Sequence, residues 1–324
     1  MTGPRIGSVC SGYAGLDMAV QSVLGGSVAW HSDPDPGAAA ILAHHWPDVP
    51  NLGDLTVADW SQVEPVDIYT GGYPCQPFSY AGARKGTTDA RHIWPHIAHS
   101  LRVLRPRILF FENVTGHVSL GLDAVLADLA ALRFNAEWLT VHASGVGAPH
   151  PRERLFVLAV AQDADRATVH QWGQSAPGQE EGRGARPHLG RRGRVAAAHA
   201  GHGHIAERTR AQGREGRERS TVRSISGRRS AVDEWGRFAP AVTRWEAVTG
   251  RAAPRATDDR GRLSPRFVEW LMGLEDGHVT AVPELTRTAQ LRALGNGVVP
   301  QQAAFAFAEL LHRAGLADRL GLAA

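Results

Sequence analysis

The 324-residue sequence is poor in thiols and lysines, with two cysteines, Cys10 and Cys75, and one lysine, Lys85. Two cysteines cannot build a disulfide framework, so we expect a reducing setting. The first residues, MTGPRIGSVCSG, lack the charge, apolar stretch and cleavage site of a secretory signal. The chain also has no unbroken apolar run of about 18 residues, the length that crosses a bilayer. These absences predict a soluble, cytoplasmic protein without a membrane partner.

The sequence has a small excess of positive charge that is concentrated in one region. The formal net charge is +3, yet residues 161–230 alone hold 14 arginines against 7 acidic residues. The positive potential is therefore regional. Because alanine, glycine and arginine are abundant throughout, as expected of a GC-rich genome, arginine enrichment alone is weak evidence about function.

Residues 5–161 repeat one theme, in which a short apolar run precedes a segment with helical apolar spacing. The candidate strands are Ile6–Cys10, Ser27–His31, Asp67–Thr70, Ile108–Glu112 and Leu155–Ala161. Three segments between them have apolar residues on one helical face, at Leu16, Ala19, Val20 and Val23, at Ile93, Ile97, Leu101 and Leu104, and at Leu122, Val125, Leu126 and Leu129. This alternation predicts an α/β fold with a doubly wound, mostly parallel sheet, which binds ligands beyond the carboxyl ends of its strands.

The remaining chain divides into two regions. Residues 162–262 are rich in arginine and glycine and lack a sustained period, so we expect them to be partly disordered apart from a helical element at Trp235–Arg251. Order returns in residues 263–324, where Ser264 can cap a helix that has Pro265 in its first turn. A last helix after Pro300 has an apolar stripe of Ala303, Phe307, Leu310 and Leu311. We predict three units, residues 1–161, 162–262 and 263–324, with the last packed against the first.

Residues that suit a nucleoside cofactor follow the first two strands. Gly12 and Gly15 allow a tight turn before the unpaired N–H groups of a helix, although such a turn alone is more often structural. Asp33 and Asp35 follow the second strand, where an acid commonly accepts from ribose hydroxyls, and solvated turn aspartates are the equally consistent alternative. Asp54 can accept from an adenine amino group, but a helix cap would have the same sequence. The ordered set favours a nucleoside cofactor more than any member does.

The next strands end in residues that suit nucleophilic chemistry. Cys75 lies between two prolines in YTGGYPCQPFS, which indicates a thiolate nucleophile rather than a buried small hydrophobe. Glu112 ends a very apolar strand, so we expect a desolvated carboxyl with a raised pKa; a buried glutamate paired with arginine is the structural alternative. Arg152 and Arg154 alternate as the chain enters a strand and are candidate partners.

In this order, these residues resemble the cytosine-C5 DNA methyltransferase family. GGYPCQPFS is similar to that family's catalytic loop, ENV to its glutamate motif, PRERLF to its arginine motif and LGNGVVP to its last motif. The resemblance covers about residues 5–160 and 262–315, and it implies a bacterial or phage enzyme that methylates C5 of a cytosine flipped out of double-stranded DNA. The residues between the arginine motif and LSPRFVEW would then read the DNA sequence.

The resemblance also implies roles for individual residues. Cys75, Glu112, Arg152 and Arg154 would be catalytic: Cys75 would add to cytosine C6, a protonated Glu112 would donate to N3, Arg154 would reach O2 and Arg152 would order the pocket. S-adenosyl-L-methionine would be held by Cys10, Ser11, Gly12, Tyr13, Gly15, Leu16, Asp33, Pro34, Asp54, Leu55, Pro74, Asn296 and Val298. DNA would be contacted by Gln76, Ser79, Arg84, Lys85, Arg91, Arg237 and Arg244. We expect a monomer that can have a restriction endonuclease as its companion.

Three positions depart from the family pattern. Cys10 stands in place of an aromatic residue, Ala14 in place of a glycine and His150 in place of a glutamine. A Cβ at a position that requires positive φ costs on the order of 1 kcal/mol, so Ala14 predicts a weakened cofactor turn.

The sequence leaves other readings open. A tRNA cytosine methyltransferase would use the same residues, and a decayed relative would bind DNA without measurable cofactor affinity. A nicotinamide oxidoreductase on the same type of sheet would leave Cys75, Glu112 and the arginines unexplained. The histidines at 199, 202 and 204 fit no standard zinc spacing, so we predict no metal.

Overall fold

Six strands form a single mixed sheet in the order β2-β1-β3-β4-β6-β5. The computed structural model describes residues 3–74, 93–162 and 235–320, together with residue 322. The strands are β1 (Arg5–Val9), β2 (Ser27–Ser32), β3 (Ile68–Gly71), β4 (Ile108–Val114), β5 (Phe134–His142) and β6 (Glu153–Ala161). The four strands β2, β1, β3 and β4 pair in parallel, and β6 runs antiparallel to both β4 and β5. The predicted α/β fold with a mostly parallel sheet is therefore confirmed.

Four helices connect the strands on both faces of the sheet. They are α1 (Gly15–Leu24), α2 (Pro36–His45), α3 (Trp94–Leu104) and α4 (Leu122–Ala131). Alternate residues of β4 explain the two layers, since Ile108 and Phe110 enter one apolar cluster with α1, whereas Leu109 and Phe111 enter another with α3 and α4. All four of these β4 side chains are buried. Such a strand, apolar on both sides, is typical of a parallel sheet covered on both faces.

The structure has one strand that the sequence pattern did not predict. All five predicted strands are present, with ends shifted by one or two residues, and β5 is added at the edge of the sheet. In β5, Phe134, Leu139 and Val141 are buried, so the period of two is lost between the first and the second of these positions. This interrupted alternation explains why the strand was missed.

The C-terminal helices close the fold. They are α5 (Ala239–Thr249), α6 (Pro265–Leu271), α7 (Arg287–Asn296) and α8 (Pro300–Arg313). Short 3₁₀ segments occur at Trp60–Gln62, Thr115–Val118, Ala143–Val146, Gly236–Phe238 and Asp318–Leu320. The predicted cap is confirmed, because Ser264 Oγ accepts from the Phe267 N–H. The stripe on α8 is fully buried against α1 and the sheet, with the ring of Phe307 4.7 Å from that of Phe110.

Helix α5 lies in the described part of the region predicted to read DNA, residues 235–262. Val242 and Trp245 are buried, and the Trp245 indole Nε1 donates to the carbonyl of Trp270 at 2.8 Å. Phe238 and Val248, which share the predicted stripe, are exposed. Helix α5 thus packs on α6, while the predicted unit boundaries at 161 and 262 stay a prediction. None of the helices in the described ranges has both the length and the apolar character needed to cross a membrane.

Candidate active site

A cavity of about 420 Å³ lies at the carboxyl ends of the parallel strands. Loops after β1, β2 and β3 and the last residues of β4 form part of its wall, and the start of β6 and the helix α7 complete it. The predicted site residues among its lining are Cys10, Gly12, Asp33, Pro74, Glu112, Arg154 and Asn296. A narrow extension of about 30 Å³ reaches Ser11, Gly15, Leu16 and Val298. The structure therefore brings together residues that are almost 290 positions apart in the sequence.

The turn after β1 is held in an unusual backbone conformation. Cys10, Gly12 and Ala14 have φ of 50°, 56° and 64°. The positive φ expected at Ala14 is confirmed, and a non-glycine residue there stores strain of about 1 kcal/mol. A Cβ built on Gly12 would meet no atom within 4 Å, so this backbone faces open space in the cavity.

Gly15 serves packing rather than an unusual backbone conformation. A Cβ on Gly15 would lie 2.6 Å from the carbonyl oxygen of Val298, so only glycine allows this approach. Tyr13 is fully buried and its hydroxyl donates to the same oxygen at 2.7 Å. The predicted cofactor residues Tyr13, Gly15 and Val298 therefore join the first turn to the C-terminal segment.

Asp33 is fixed by backbone groups on both sides. Its Oδ2 accepts from Gly12 N at 2.8 Å and its Oδ1 from Asp35 N at 2.9 Å, while the Asn51 side chain bonds both the N–H and the carbonyl of Asp33. Burial raises the pKa of Asp33. The next residue, Pro34, is exposed. Asn51 was not anticipated, because a single asparagine in a loop gives no sequence signal for such a contact.

Asp35 and Arg292 join two parts of the cavity wall. Asp35 caps α2 by accepting from the N–H groups of Gly37 and Ala38, and its second oxygen pairs with Arg292 of α7. Both side chains line the cavity. This ion pair connects the second loop of the sheet to the last motif of the sequence.

Asp54 and Leu55, which were predicted to hold the cofactor, lie outside the cavity lining. Asp54 is exposed and its Oδ1 accepts from Thr56 N at 2.9 Å, so it closes a local turn and not the helix cap that the sequence left open as an alternative. Leu55 is buried in the apolar cluster below the sheet edge. Neither side chain lines the cavity, and a cofactor role for them stays a prediction.

Glu112 and Arg154 form an ion pair in the wall of the cavity. Arg154 Nε lies 2.8 Å from Glu112 Oε1, and both side chains are largely buried. Burial raises the pKa of the Glu112 carboxyl to about 7, against a smaller lowering by Arg154 and Arg152. The structure thus contains both expected features, the raised pKa and the arginine partner. A carboxyl with this pKa can hold or release a proton near neutrality.

Arg152 occupies a different environment from Arg154. It precedes β6 with φ of 22°, so the regular alternation expected of the two arginines does not extend to it. Its guanidinium donates to the carbonyls of Gly295 and Gly297, at 2.9 and 2.5 Å, and does not line the cavity. Arg152 therefore fastens the start of β6 to the last motif. His150 likewise bonds the Leu271 carbonyl, away from the cavity lining.

Of the two cysteines, only Cys10 lies in the described part of the chain. Burial, with the charges of Asp33 and Asp54, raises the pKa of the Cys10 thiol to about 12, so this thiol stays protonated and is a poor nucleophile. Cys75 lies outside the described residues, as do Gln76, Ser79, Arg84, Lys85, Arg91 and the histidines at 199, 202 and 204. Pro74, the residue bonded to Cys75, lines the cavity.

Asn113 is a further site residue that the sequence reasoning missed. Its Nδ2 donates to the Tyr73 carbonyl at 3.0 Å, and the Tyr73 hydroxyl contacts His117 Nε2 at 3.0 Å. Both contacts hold the chain directly before Pro74. The arginines predicted to contact DNA in α5 and before it, Arg237 and Arg244, are exposed. Within the described ranges, no three His, Cys, Asp or Glu side chains are arranged to hold a metal ion.

An α/β fold with a cavity at the carboxyl ends of its parallel strands defines a ligand-binding protein of the doubly wound class. Sequence comparison identifies the family. The model of the C-5 cytosine-specific DNA methylases matches residues 5–312. Because this match covers nearly the whole chain, the protein belongs to that family.

Individual relatives match over shorter lengths. The chain is 28% identical over 160 residues to the type II methyltransferase M.HgiCII of Herpetosiphon aurantiacus, which is 47% of this chain and 36% of that protein. It is 36% identical over 140 residues to a DNA N-6-adenine-methyltransferase of Escherichia phage P1, which is 39% of this chain and 18% of that protein. The chain thus spans about a third or less of these relatives.

A solved structure supports the fold over the full length. The S. pombe Dnmt2 methyltransferase superposes with a TM-score of 0.60, covering 96% of this chain and 99% of that one at 16% identity. At this identity the likeness is one of fold.

Proposed function

We propose that this protein transfers a methyl group from S-adenosyl-L-methionine to C5 of cytosine in double-stranded DNA, through a transient bond between Cys75 and cytosine C6. The observation that carries the proposal is the Glu112–Arg154 pair, whose carboxyl has a pKa of about 7 and lines a cavity together with Pro74, the neighbour of Cys75. Membership of the C-5 cytosine-specific methylase family supports the same reaction.

The cavity wall fits a nucleoside cofactor. Gly12 offers backbone with open space in front of it, and Asp33 is a carboxylate acceptor fixed at the cavity wall, as ribose hydroxyls require. We assign the cofactor to the cavity region lined by Cys10, Gly12, Asp33 and Asn296 and to its extension at Gly15 and Val298. When bound, S-adenosyl-L-methionine would supply an electrophilic methyl group.

The chain's own residues would activate the cytosine. Addition of the Cys75 thiolate to C6 converts the ring to an enamine whose C5 is nucleophilic, and charge develops on N3. Glu112, protonated, stabilises that charge by donating to N3. After C5 is methylated, a base removes the C5 proton and the Cys75–C6 bond breaks, which releases the product and the thiolate. Arg154 Nε and Nη1 are engaged by Glu112 and the Glu153 carbonyl, which leaves Nη2 to donate to cytosine O2. Arg152 holds Gly295 and Gly297 in place at the lining of the cavity and its extension.

DNA would approach the cavity edge of the sheet. A paired base cannot enter the cavity, so the target cytosine must be flipped out of the duplex. We assign phosphate and base contacts to the segment 162–262, with Arg237 before α5 and Arg244 in it as exposed members, and to Gln76, Ser79, Arg84, Lys85 and Arg91, which follow Pro74 in the sequence. The type II names of several relatives are consistent with a restriction partner.

A methyl-transfer assay tests the proposal. Purified protein is incubated with GC-rich duplex DNA and cofactor labelled in its methyl group, and the digested nucleosides are separated. We expect label in 5-methylcytosine with the parent protein and none with Cys75→Ala, and a covalent complex with a 5-fluorocytosine duplex only in the parent. Unlabelled C5 at low salt, or trapping that persists in Cys75→Ala, would contradict the proposal.

The same assay separates the alternatives. Label in tRNA but not in duplex DNA would indicate an RNA methyltransferase. Label in N6-methyladenine would indicate an adenine methyltransferase, the activity in the name of the phage P1 relative. Binding to DNA without any affinity for the cofactor would indicate a decayed relative.

A further inference from the structure

The carbonyl of Tyr13 is bonded by a histidine from the C-terminal half of the chain. His278 Nε2 lies 3.0 Å from that oxygen, and the rings of His278 and Tyr13 meet edge to face with centroids 6.0 Å apart. Tyr13 stands between Gly12 and Ala14, which both have left-handed backbone. The bond therefore acts directly on the strained part of the turn that borders the cavity.

The His278 ring can only donate in this contact. A carbonyl oxygen accepts hydrogen bonds, so Nε2 carries the proton. The side chain is 9% exposed, and burial lowers the pKa of His278 to about 4, which keeps the ring neutral at physiological pH. His45 stacks on it at 4.1 Å with an angle of 10° between the rings, and His45 Nε2 donates to the His278 carbonyl at 2.7 Å. The donor is thus held in orientation from its rear face.

The loop that carries His278 is fixed by a buried glutamate. Glu269 is 1% exposed and accepts four hydrogen bonds, from Gly277 N, Val279 N, Thr280 N and Thr280 Oγ1, at 2.6 to 2.9 Å. A buried carboxylate with all of its partners on one loop immobilises that loop. The rigid element extends from α6 through Glu269 to His278.

A second contact holds the same tyrosine from the opposite side. The Tyr13 hydroxyl donates to Val298, and a Cβ on Gly297 would lie 1.8 Å from the Tyr13 ring. Backbone strain persists only where the surroundings over-determine it. Tyr13 is fixed at two points, because its hydroxyl bonds Val298 and its carbonyl bonds His278.

We propose that His278 is a positioning residue for the cofactor site, whose Nε2–H bond to the Tyr13 carbonyl holds the turn in the conformation with Cys10, Gly12 and Ala14 at positive φ, which opens Gly12 to the cavity. The inference rests on the proposed function in one respect, the assignment of a nucleoside cofactor to this cavity. Without the bond, the backbone of Ala14 would relax toward the right-handed region, and the turn would obstruct the open space at Gly12 where the ligand is expected.

Calorimetric binding of S-adenosylhomocysteine to the full chain tests this inference, with melting temperatures measured in parallel. His278→Phe keeps the ring volume and the stacking on His45 but removes the donor, and we expect the Kd to rise roughly 10-fold. His278→Gln, which can place an amide N–H near the same point, should stay within about 3-fold of the parent. Ala14→Gly in the Phe variant should recover most of the loss, since glycine adopts positive φ without strain.

Gln301→Ala is the matched control. It removes a bond of the same kind, from Gln301 Nε2 to the Gly273 carbonyl at 2.7 Å, in the same half of the protein and without contacting residues 10–14. We expect a lower melting temperature and an unchanged Kd. An unchanged Kd in His278→Phe would overturn the inference. So would an equal rise of the Kd in Gln301→Ala together with a failure of Ala14→Gly to restore binding in the Phe variant. If the parent itself fails to bind S-adenosylhomocysteine, the cofactor assignment is wrong and the inference goes with it.

Discussion

The two walls of the cavity are built in different ways. In the turn wall, residues 10–16 and 33–35, three residues have positive φ and Gly12 offers bare backbone, beside the carboxylates of Asp33 and Asp35. The strand wall, Glu112 and Arg154, presents charged side chains from β4 and β6, which are paired so that Val114 faces Arg154 and Glu112 faces Phe156. The strand wall is supported by its own ladder of hydrogen bonds. The turn wall is supported by contacts from residues more than 250 positions away, such as His278 and Val298.

This difference has a physical reason. Charged groups in a largely buried site need rigid mutual placement, because the attraction between them compensates desolvation only at short distance. Backbone groups that receive a ligand need an accessible conformation, which an extended strand cannot offer. The strand wall should therefore respond to changes of charge, and the turn wall to changes of conformational freedom.

The largest expected effect comes from breaking the strand wall with Arg154→Leu. Glu112 would then stay buried without its partner, and we expect at least a 1000-fold loss of turnover and a loss of roughly 3 kcal/mol in unfolding free energy at pH 8. The stability loss should be smaller at pH 6, because Glu112 can take up a proton there. Denaturant unfolding at both pH values checks this, and an equal loss at both would contradict the pairing.

Glu112→Gln tests the proton on the strand wall and should lower kcat/KM by about 100-fold. The Glu112 pKa is raised from 4.5 to about 7, so the folded protein holds the proton between these values and loses it as pH rises through 7. Parent kcat/KM should therefore decline above pH 7, and this limb should be absent from the Gln variant. The stability of the parent relative to the variant should fall as pH rises from 4.5 to about 7 and then level off. A pH–rate profile with the same alkaline limb in both proteins would assign the proton elsewhere.

The smallest effect is expected from Ala14→Gly in the turn wall. Glycine removes the cost of positive φ, which exceeds the added entropy of the unfolded chain, so we expect a gain of about 0.5 kcal/mol or a rise of a few degrees in Tm. Ala308→Gly, in the middle of α8, should cost about 1 kcal/mol instead. Losses of equal size at both positions would mean that the left-handed turn is not strained.

The sequence predicts the strand wall more completely than the turn wall. The apolar run before Glu112 indicates its burial and raised pKa from local pattern alone, and the cap at Ser264 and the stripe on α8 follow from spacing. Asn51, Asn113 and His278 are different, since each is a single polar side chain whose partner is a distant backbone group. No periodicity marks such a residue, and only the folded chain shows what it contacts. At Arg152 only the expected alternation with Arg154 is wrong, because its φ of 22° interrupts the pattern that a strand would continue.

The antiparallel direction of β6 also determines where the chain leaves the sheet. Arg154 lines the cavity at the beginning of this nine-residue strand. Ala161 and Gln162 therefore lie at the opposite end of the strand, roughly 30 Å away. The chain returns at the cavity edge, where Arg244 of α5 bonds the Gly147 carbonyl. Insertions and exchanges next to Gln162 are thus remote from Glu112 and Arg154, which lie at the other end of the strand.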